Sequence, residues 1–398
     1  MIYIRIRNLQ PICVAAEQAQ GTIRRTLEYI PGSTLRGALA TRLRTVQPNI
    51  SRQDFARIIL SPGAQFQNLY PLPPGRDVSL PLPGTARSCK LYPGFIPPRP
   101  RAGQPPPHGA RDMLFPYLRF RLAPEAENIP DPYCHHDGCG LPLEPFIGFY
   151  SGTRAGDYVV ADVRRRQVTQ TAIDPHRETA SPANLFTVEV LEEGLQFAGY
   201  FALGEDADEA EFCQTVCRRG DTLRLGYGRT RGLGLAEVLD CRVEEPDLWV
   251  EDLPTRLRRF NEMAEAQMCS VPGHTLFALT LLSDAIVLDP FFRHQAGLDG
   301  STLAREIHPD LADAELLLSF ASTRLVSGWS SPHRLPLPED LAITAGSVFV
   351  FKTLLTQDDL VGIFEKTELE RRGIGERRAE GFGQVVVCHP FHQEVNPV

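Results

Sequence analysis

Lysine is nearly missing from this sequence: of its 41 basic residues only Lys90, Lys352 and Lys366 are lysines, and the rest are arginines. Asp and Glu together number 49, so the net charge is -8. That balance excludes a protein that coats nucleic acid by bulk electrostatics. Arginine's planar fork suits bidentate phosphate contacts and base stacking wherever arginines cluster beside glycines, although the global ratio by itself fits a GC-rich codon bias. Long apolar runs are missing too. No stretch approaches the ~18 to 20 consecutive apolar residues of a membrane span. The opening Met1-Ile-Tyr-Ile-Arg-Ile-Arg7 alternates like a strand and lacks the charge, apolar block and cleavage site of a leader, so a cytoplasmic protein with no membrane partner is expected. Nine cysteines, an odd number without a secretory signal, point to thiols or metal ligands instead of disulfides. What remains is the composition of a globular chain: 398 residues, 42% apolar and 23% charged, enough for two or three domains.

Two stretches, Ile2 to Val14 and Thr275 to Leu288, read as opening strands of similar units. Each is followed much later by a helix, an arginine pair, a glycine-rich loop and a final strand. The first ending runs from Asp208 to Cys217 through Arg218-Arg219 to Leu225-Gly226-Tyr-Gly228-Arg-Thr-Arg231-Gly232-Leu-Gly234, then Leu235 to Val243. In the second, Asp358 to Leu369 reads as the helix and Arg371-Arg372 closes it. Gly373-Ile-Gly375-Glu-Arg377-Arg378-Ala-Glu-Gly381-Phe-Gly383 is the loop and Gln384 to Cys388 the strand. Paired by their glycine doublets, the spacings are G-x-G-x3-G-x-G and G-x-G-x5-G-x-G. The repeat predicts a duplicated α+β unit, with the hydrophilic helix Asp252 to Ala266 as connector.

The loops follow a helix and open a strand, the reverse of a dinucleotide fingerprint or a P-loop. Their glycines would let backbone amides approach a sugar-phosphate chain while Arg229, Arg231, Arg377 and Arg378 neutralise it; Gly228 and Gly375 mark the closest approach. A second anion site is read at Pro31-Gly32-Ser33-Thr34-Leu35-Arg36. There Ser33 is expected to cap a helix from Thr34 to Leu43, with Gly32 bare before it and Arg36 on the first turn. Gln167 to Asp174 and Leu185 to Val190 flank a polar tip, a long hairpin that could lie across a single strand with His176 and Arg177 at the contact.

Between Pro71 and Pro145 the chain turns proline-rich with few helical signals, and a structureless segment of that length needs a staple. Cys89, His108, Cys134 and Cys139 supply the three thiols and one imidazole of a tetrahedral Zn2+ site, with His135 or His136 as alternatives to His108. Cys213 and Cys217 sit on an apolar helix face and read as core.

With these residues in hand, the chain resembles the RAMP superfamily of CRISPR-associated proteins, specifically the Csx-ten type of the Cas-five group in type III-D systems. The resemblance rests on Ile30 to Leu39, the region Cys89 to Cys139, and Thr171-Ala-Ile-Asp-Pro175 with Leu185 to Glu189. Gly328-Trp329, Leu335 to Pro338 and Ala345 to Phe349 add to it, and Gly373 to Gly383 is its most specific piece. It implies an α+β protein of two ferredoxin-like (RRM-like) RAMP domains. These are residues 1–245, with the zinc-binding insertion at about 71–145, and 272–398, joined by a helical linker at 246–271. It also implies a non-catalytic subunit that holds the 5′ handle of a guide crRNA, beside Cas-ten type, Cas-seven type and small subunits and near target RNA. RRM sheets stack bases on aromatics, but the first strand offers only Tyr3, which favours loops and arginines. Ile173-Asp174 and Leu185 to Glu189 also look like the Cas-seven group, so a backbone subunit that cleaves RNA with Asp174 and His176 is the alternative. A zinc-stabilised scaffold without RNA affinity is a third.

Overall fold

The computed structural model describes residues 1–14, 23–97, 105–125, 129–152, 157–174, 179–244, 251–330 and 335–394. Side chains of 171–185 and 329–334 are outside that description.

Ile2, Ile4 and Ile6 alternate along β1 (Ile2–Asn8) and point to one face. On that face Leu35, Leu39 and Leu43, spaced by four, come down from α1 (Gly32–Val46), and all six side chains share one core. The centre of the sheet adds β2 (Gln65–Phe66), β5 (Gln196–Ala202) and β6 (Leu235–Val243), in the order β6-β1-β5-β2, and short strands Thr222–Arg224 beside β6 and Tyr70–Pro71 beside β5 make it six-stranded. The helix α2 (Glu209–Thr215) adds Phe212 and Cys213 to the same core, and Cys217 just beyond it is buried there too. Between β2 and β5 lies the hairpin β3 (Arg165–Asp174) and β4 (Thr179–Leu191), paired from Arg165↔Leu191 to Asp174↔Thr179.

The second half repeats the plan. After α3 (Leu253–Ala266) come β7 (Thr275–Leu281), α4 (Gly300–Glu306), β8 (Glu315–Phe320) and the shorter hairpin β9 (Thr323–Val326) and β10 (Asp340–Ile343). Then follow β11 (Val348–Thr353), α5 (Gln357–Lys366) and β12 (Val385–Val387). The sheet order is β12-β7-β11-β8, so in both halves the first strand lies between the last and the third. That is the strand order of a β-α-β-β-α-β ferredoxin-like unit.

Three local expectations change. The helix at Gly32 begins earlier than expected and Ser33 lies inside it; the cap is Pro31, with no side-chain hydrogen bond. The reason is that the Pro31 carbonyl already accepts the amides of Thr34 and Leu35, while Asn68 Oδ1 takes the amide of Gly32 at 3.0 Å. The helix expected as a hydrophilic connector, α3, instead packs Leu257, Phe260 and Ala264 into the second core. Its Arg256 is 1% exposed, held by Glu370 at 2.9 Å and the Val387 carbonyl at 2.8 Å. Within the proline-rich segment a helix, Leu114–Leu122, sends Leu114, Phe115 and Leu118 into that same second core. The segment therefore does own a helix.

The halves meet through polar contacts as well as packing. The Tyr70 hydroxyl donates to the Leu282 carbonyl, and Arg324 reaches back to the Tyr29 hydroxyl at 2.8 Å while its Nε sits 2.6 Å from buried Asp284. A Cβ on Gly32 would collide with the carbonyl oxygen of Phe66 and crowd that of Glu380, so this glycine serves close packing at the seam.

Candidate nucleic-acid interface and metal centre

The two glycine-rich loops superpose on a shifted register. In the first, Tyr227 N–H donates to Cys13 O (2.8 Å) and Leu225 N–H to Gly234 O (2.8 Å); in the second, Glu376 N–H donates to Ile286 O (2.8 Å) and Ile374 N–H to Gly383 O (2.9 Å). Gly234 N–H to Pro11 O and Arg231 N–H to Gly228 O are likewise matched by Gly383 N–H to Asp284 O and Glu380 N–H to Arg377 O. These bonds equate Gly226 with Gly375, Gly228 with Arg377, Gly232 with Gly381 and Gly234 with Gly383. All eight residues have positive φ, including Arg377 at 56°. The pairing by glycine doublets is thus corrected: Gly373 lies outside the equivalent stretch, and both copies have the same length.

The shared backbone explains the end glycines without any ligand. A Cβ at Gly226 or Gly375 would run into the carbonyl of Cys13 or Ile286, and one at Gly234 or Gly383 into that of Leu225 or Ile374. What differs is what the loop tips carry. Arg229 and Arg231 are exposed, and among the described residues neither makes an ion pair. With Gln10, Thr41, Arg224, Thr230 and Gly232, Arg229 lines an open groove beside α1. Gln10, Thr41 and Arg224 escaped the sequence reading because they come from three separate elements; only Arg224, just before the loop, carried a local signal.

The second loop turns its charge inward. Arg377 Nη1 lies 3.0 Å from Asp340 and Nη2 2.7 Å from Glu380, and Glu380 also takes Arg36 at 3.0 Å. Asp340 continues the chain to His294 at 3.3 Å. Gly381 presses on Asn68 and Phe66 of the first half, where a Cβ would stand 2.7 Å from Asn68 Oδ1. Arg377 and Arg36 are therefore matched by carboxylates at the seam, while Arg378 stays exposed. At the hairpin, Arg164, Arg165 and Arg166 pair with Glu192, Glu28 and Glu193. The side chain of Asp174, and the whole of His176 and Arg177, lie outside the described residues. Tyr3, the one aromatic of β1, is 1% exposed, its hydroxyl on the Asp77 carbonyl at 2.9 Å and Arg242 over its ring. Base stacking on that strand is closed off.

The proline-rich segment brings Cys89, His108, Cys134 and Cys139 together, their ligand atoms all within 4.8 Å of one another. Cys89 ends the strand Ala86–Cys89, which pairs with Ala110–Asp112 and Leu143–Pro145. His108 is placed by its amide on the Tyr92 carbonyl (3.0 Å), Cys134 by its amide on Leu141 O (2.7 Å), and Cys139 by its amide on His136 O (2.9 Å). Cys89 Sγ and Cys139 Sγ are 3.7 Å apart, and Cys134 Sγ is 3.5 Å from His108 Nδ1. A tetrahedron with metal-sulfur bonds near 2.3 Å and metal-nitrogen bonds near 2.0 Å has sulfur-sulfur and sulfur-nitrogen edges of about 3.8 and 3.5 Å. The donor set and these two edges fit one tetrahedral ion. Burial pushes the Cys89 thiol up, but the amides of Tyr92 and Leu91 and the neighbouring thiols outweigh it and hold it below its usual range. Burial, with the thiols of Cys139 and Cys89, raises Cys134. Of the alternative imidazoles, His136 stacks on the His108 ring at 3.9 Å and His135 pairs with Asp131 at 2.6 Å. Of the two, only His136 touches the cluster, through the His108 ring.

A duplicated ferredoxin-like sheet with glycine-bearing loops at equivalent positions defines the class of protein. The sequence model of the RAMP superfamily matches residues 22–237, more than half of the chain, and the chain belongs to that superfamily. No curated protein matches it. Among solved structures, one similar chain is from the type III-B Cmr-beta complex bound to cognate target RNA and AMPPnP. It has a TM-score of 0.43 and 12% identity over 92% of this chain and 89% of that one. Another is oligomeric Cmr4 from Pyrococcus furiosus, with a TM-score of 0.26 and 11% identity over 61% of this chain and 97% of that one. No helix among the described residues is long and apolar enough to cross a membrane.

Proposed function

We propose that this RAMP protein is a non-catalytic, crRNA-binding subunit of a type III CRISPR effector complex, of the Csx-ten type that its motifs resemble. In this reading residues 1–245 and 272–398 are the two RAMP units, with 246–271 between them and a Zn2+-stapled insertion at about 71–145. Cas-ten type, Cas-seven type and small subunits are its neighbours. The observation that carries the RNA reading is the first loop. Arg229 and Arg231 stand exposed without a carboxylate partner among the described residues, beside an open groove. On a chain of net charge -8, unmatched guanidinium groups are where a phosphate chain is attracted. Zn2+ is supported by the three-thiol, one-imidazole donor set and its edge lengths. It would supply folding energy to a segment with little apolar core of its own.

The test is on assembled particles, because an acidic subunit binds RNA weakly when isolated. The reading expects crRNA retention that falls with salt, weakens in Arg229→Ala/Arg231→Ala and survives Asp174→Ala and His176→Ala. A cleavage product lost in the last two variants would replace it with the Cas-seven-like alternative. Unchanged retention in all variants leaves a scaffold role only.

A further inference from the structure

Two pairs of sulfur atoms lie at nearly the same spacing in this chain, and their surroundings set them apart. Cys89 Sγ and Cys139 Sγ are 3.7 Å apart in the insertion, and Cys213 Sγ and Cys241 Sγ are 3.5 Å apart at the first core. Spacing alone would let either pair close into a disulfide. Reactivity separates them, because the nucleophile is the thiolate and not the thiol.

The core pair is kept protonated. Contact with Cys241, then burial, raises the Cys213 thiol well above its usual range. At Cys241 the contact with Cys213 pulls the other way, but Cys217 and burial outweigh it and this thiol is raised too. The insertion pair belongs instead to a donor set that fits Zn2+, and thiolate is the form in which sulfur holds that ion. Access differs as well. Cys89 and Cys134 are 1% and 5% exposed, while Cys139 is half-buried. Gly138 and Gly140 flank Cys139 at φ 73° and 60°, and a Cβ on either would meet no atom within 4 Å. The sulfur most open to a small solute therefore sits on a turn with room around it. Its neighbour is Cys89, whereas Cys134 lies against His108 Nδ1 at 3.5 Å.

We infer that Cys139 and Cys89 form an oxidation site for hydrogen peroxide, closing a disulfide that dismantles the metal centre. This rests on the Zn2+ reading given above. The Cys139 thiolate attacks one peroxide oxygen and displaces hydroxide, leaving a sulfenic acid; the Cys89 thiolate attacks that sulfur and displaces a second hydroxide. The peroxide is reduced, the two thiolates are oxidised to one disulfide, and two protons from solvent turn both hydroxides into water. The sulfurs close from 3.7 Å to a bond of about 2.05 Å. Cys134 and His108 remain, too few donors for a tetrahedral structural site. Cys89 is paired in register with Leu143, just beyond Cys139, so the new bond keeps that strand tied to the turn while Cys134 and His108 are let go.

The experiment uses the purified full chain, loaded with Zn2+ and checked by elemental analysis, with hydrogen peroxide as the probe. A metallochromic dye reads ion release, and mass spectrometry after unfolding and alkylation maps the sulfurs. The expected result is one Zn2+ released per Cys89–Cys139 disulfide, with Cys213 and Cys241 oxidised at least about tenfold more slowly. Hydrogen exchange should rise at 131–136 while 86–89 stays protected, and the melting midpoint should fall between those of the loaded chain and the chelated, reduced chain. Dithiothreitol with Zn2+ should restore the loaded midpoint. Release with Cys139 driven to sulfinic acid and no disulfide, a disulfide that includes Cys134, or first oxidation at Cys213 or Cys241 overturns the inference. So does a loaded chain that keeps its ion and its thiols through the peroxide series. A chain that binds no Zn2+ before peroxide is added fails the metal reading itself, and the inference falls with it.

Discussion

The loops 226–234 and 375–383 run through the same left-handed turns, hang on the segment after their first strands by two equivalent backbone hydrogen bonds and are closed by two more of their own. Yet Arg229 and Arg231 face solvent without ion pairs among the described residues, whereas Arg377 is clasped by Asp340 and Glu380 and joined through Glu380 to Arg36. A duplicated backbone device has been put to two uses. The first copy presents two unpaired guanidinium groups; the second presents only that of Arg378, the counterpart of Arg229, and commits Arg377 to the seam between the halves. Equivalence of position in a repeat is evidence for equivalent backbone, and the side chains decide the function.

The largest perturbation should come from the metal staple, which acts on the second half through the insertion. Leu80, Leu82 and Ala86 of the insertion share a core with Leu282, Val386 and Phe391, and Gly84 donates to the Gly346 carbonyl at 2.6 Å. Cys134→Ser, or removal of the ion with a strong chelator, should cost on the order of 5 kcal/mol by denaturant unfolding. Hydrogen exchange should rise around 282–286 and 343–346 while 226–234 stays protected. Elemental analysis should find one zinc per parent chain and none in the variant.

Next in size, Gly234→Ala and Gly383→Ala should each cost about 3 kcal/mol, from a collision with a carbonyl added to positive φ. Gly232→Ala, with open space at its Cβ, should cost about 1 kcal/mol from backbone strain alone. Equal losses at 234 and 383 would support the shared backbone; a loss at one only would break the comparison.

Smaller than the losses at Gly234 and Gly383 is an acid effect that originates at His389 in the second half. Burial, then His392 and Arg256, holds His389 well below its ordinary value, with its Nδ1 accepting the Phe391 amide at 3.0 Å. The unfolded chain therefore binds a proton near pH 6.5 that the folded chain refuses. Stability is full above that pH and falls as the pH drops below it, by on the order of 1 kcal/mol per pH unit. Unfolding measured at pH 7 and 5.5 should show that slope in the parent and a flatter one in His389→Gln.

Much of this was legible in the sequence, for identifiable reasons. The duplication showed because helix, arginine pair, glycines and strand recur in order. The register slipped because it was read by glycine identity, and the second copy puts Arg377 where the first has Gly228 while adding Gly373 just outside the turn. The cluster that could hold a metal was readable from Cys134 and Cys139 as a close pair. That His108, and not His135 or His136, joins the three thiols depends on the Tyr92 carbonyl and on strand pairing distant in sequence. The partners of Arg377 were invisible for the same reason, since Asp340 reaches it only through the fold.

The most direct test compares crRNA affinity of assembled particles across a salt series for the parent, Arg229→Ala/Arg231→Ala and Arg377→Ala. The account predicts about a tenfold or greater loss and a salt slope shallower by about 2 for the first variant. Arg377→Ala should keep parental affinity and lose only about 1 kcal/mol of stability, as expected for a half-exposed ion pair. Equal loss of RNA affinity from both variants, or from Arg377→Ala alone, would contradict the division of labour between the two loops.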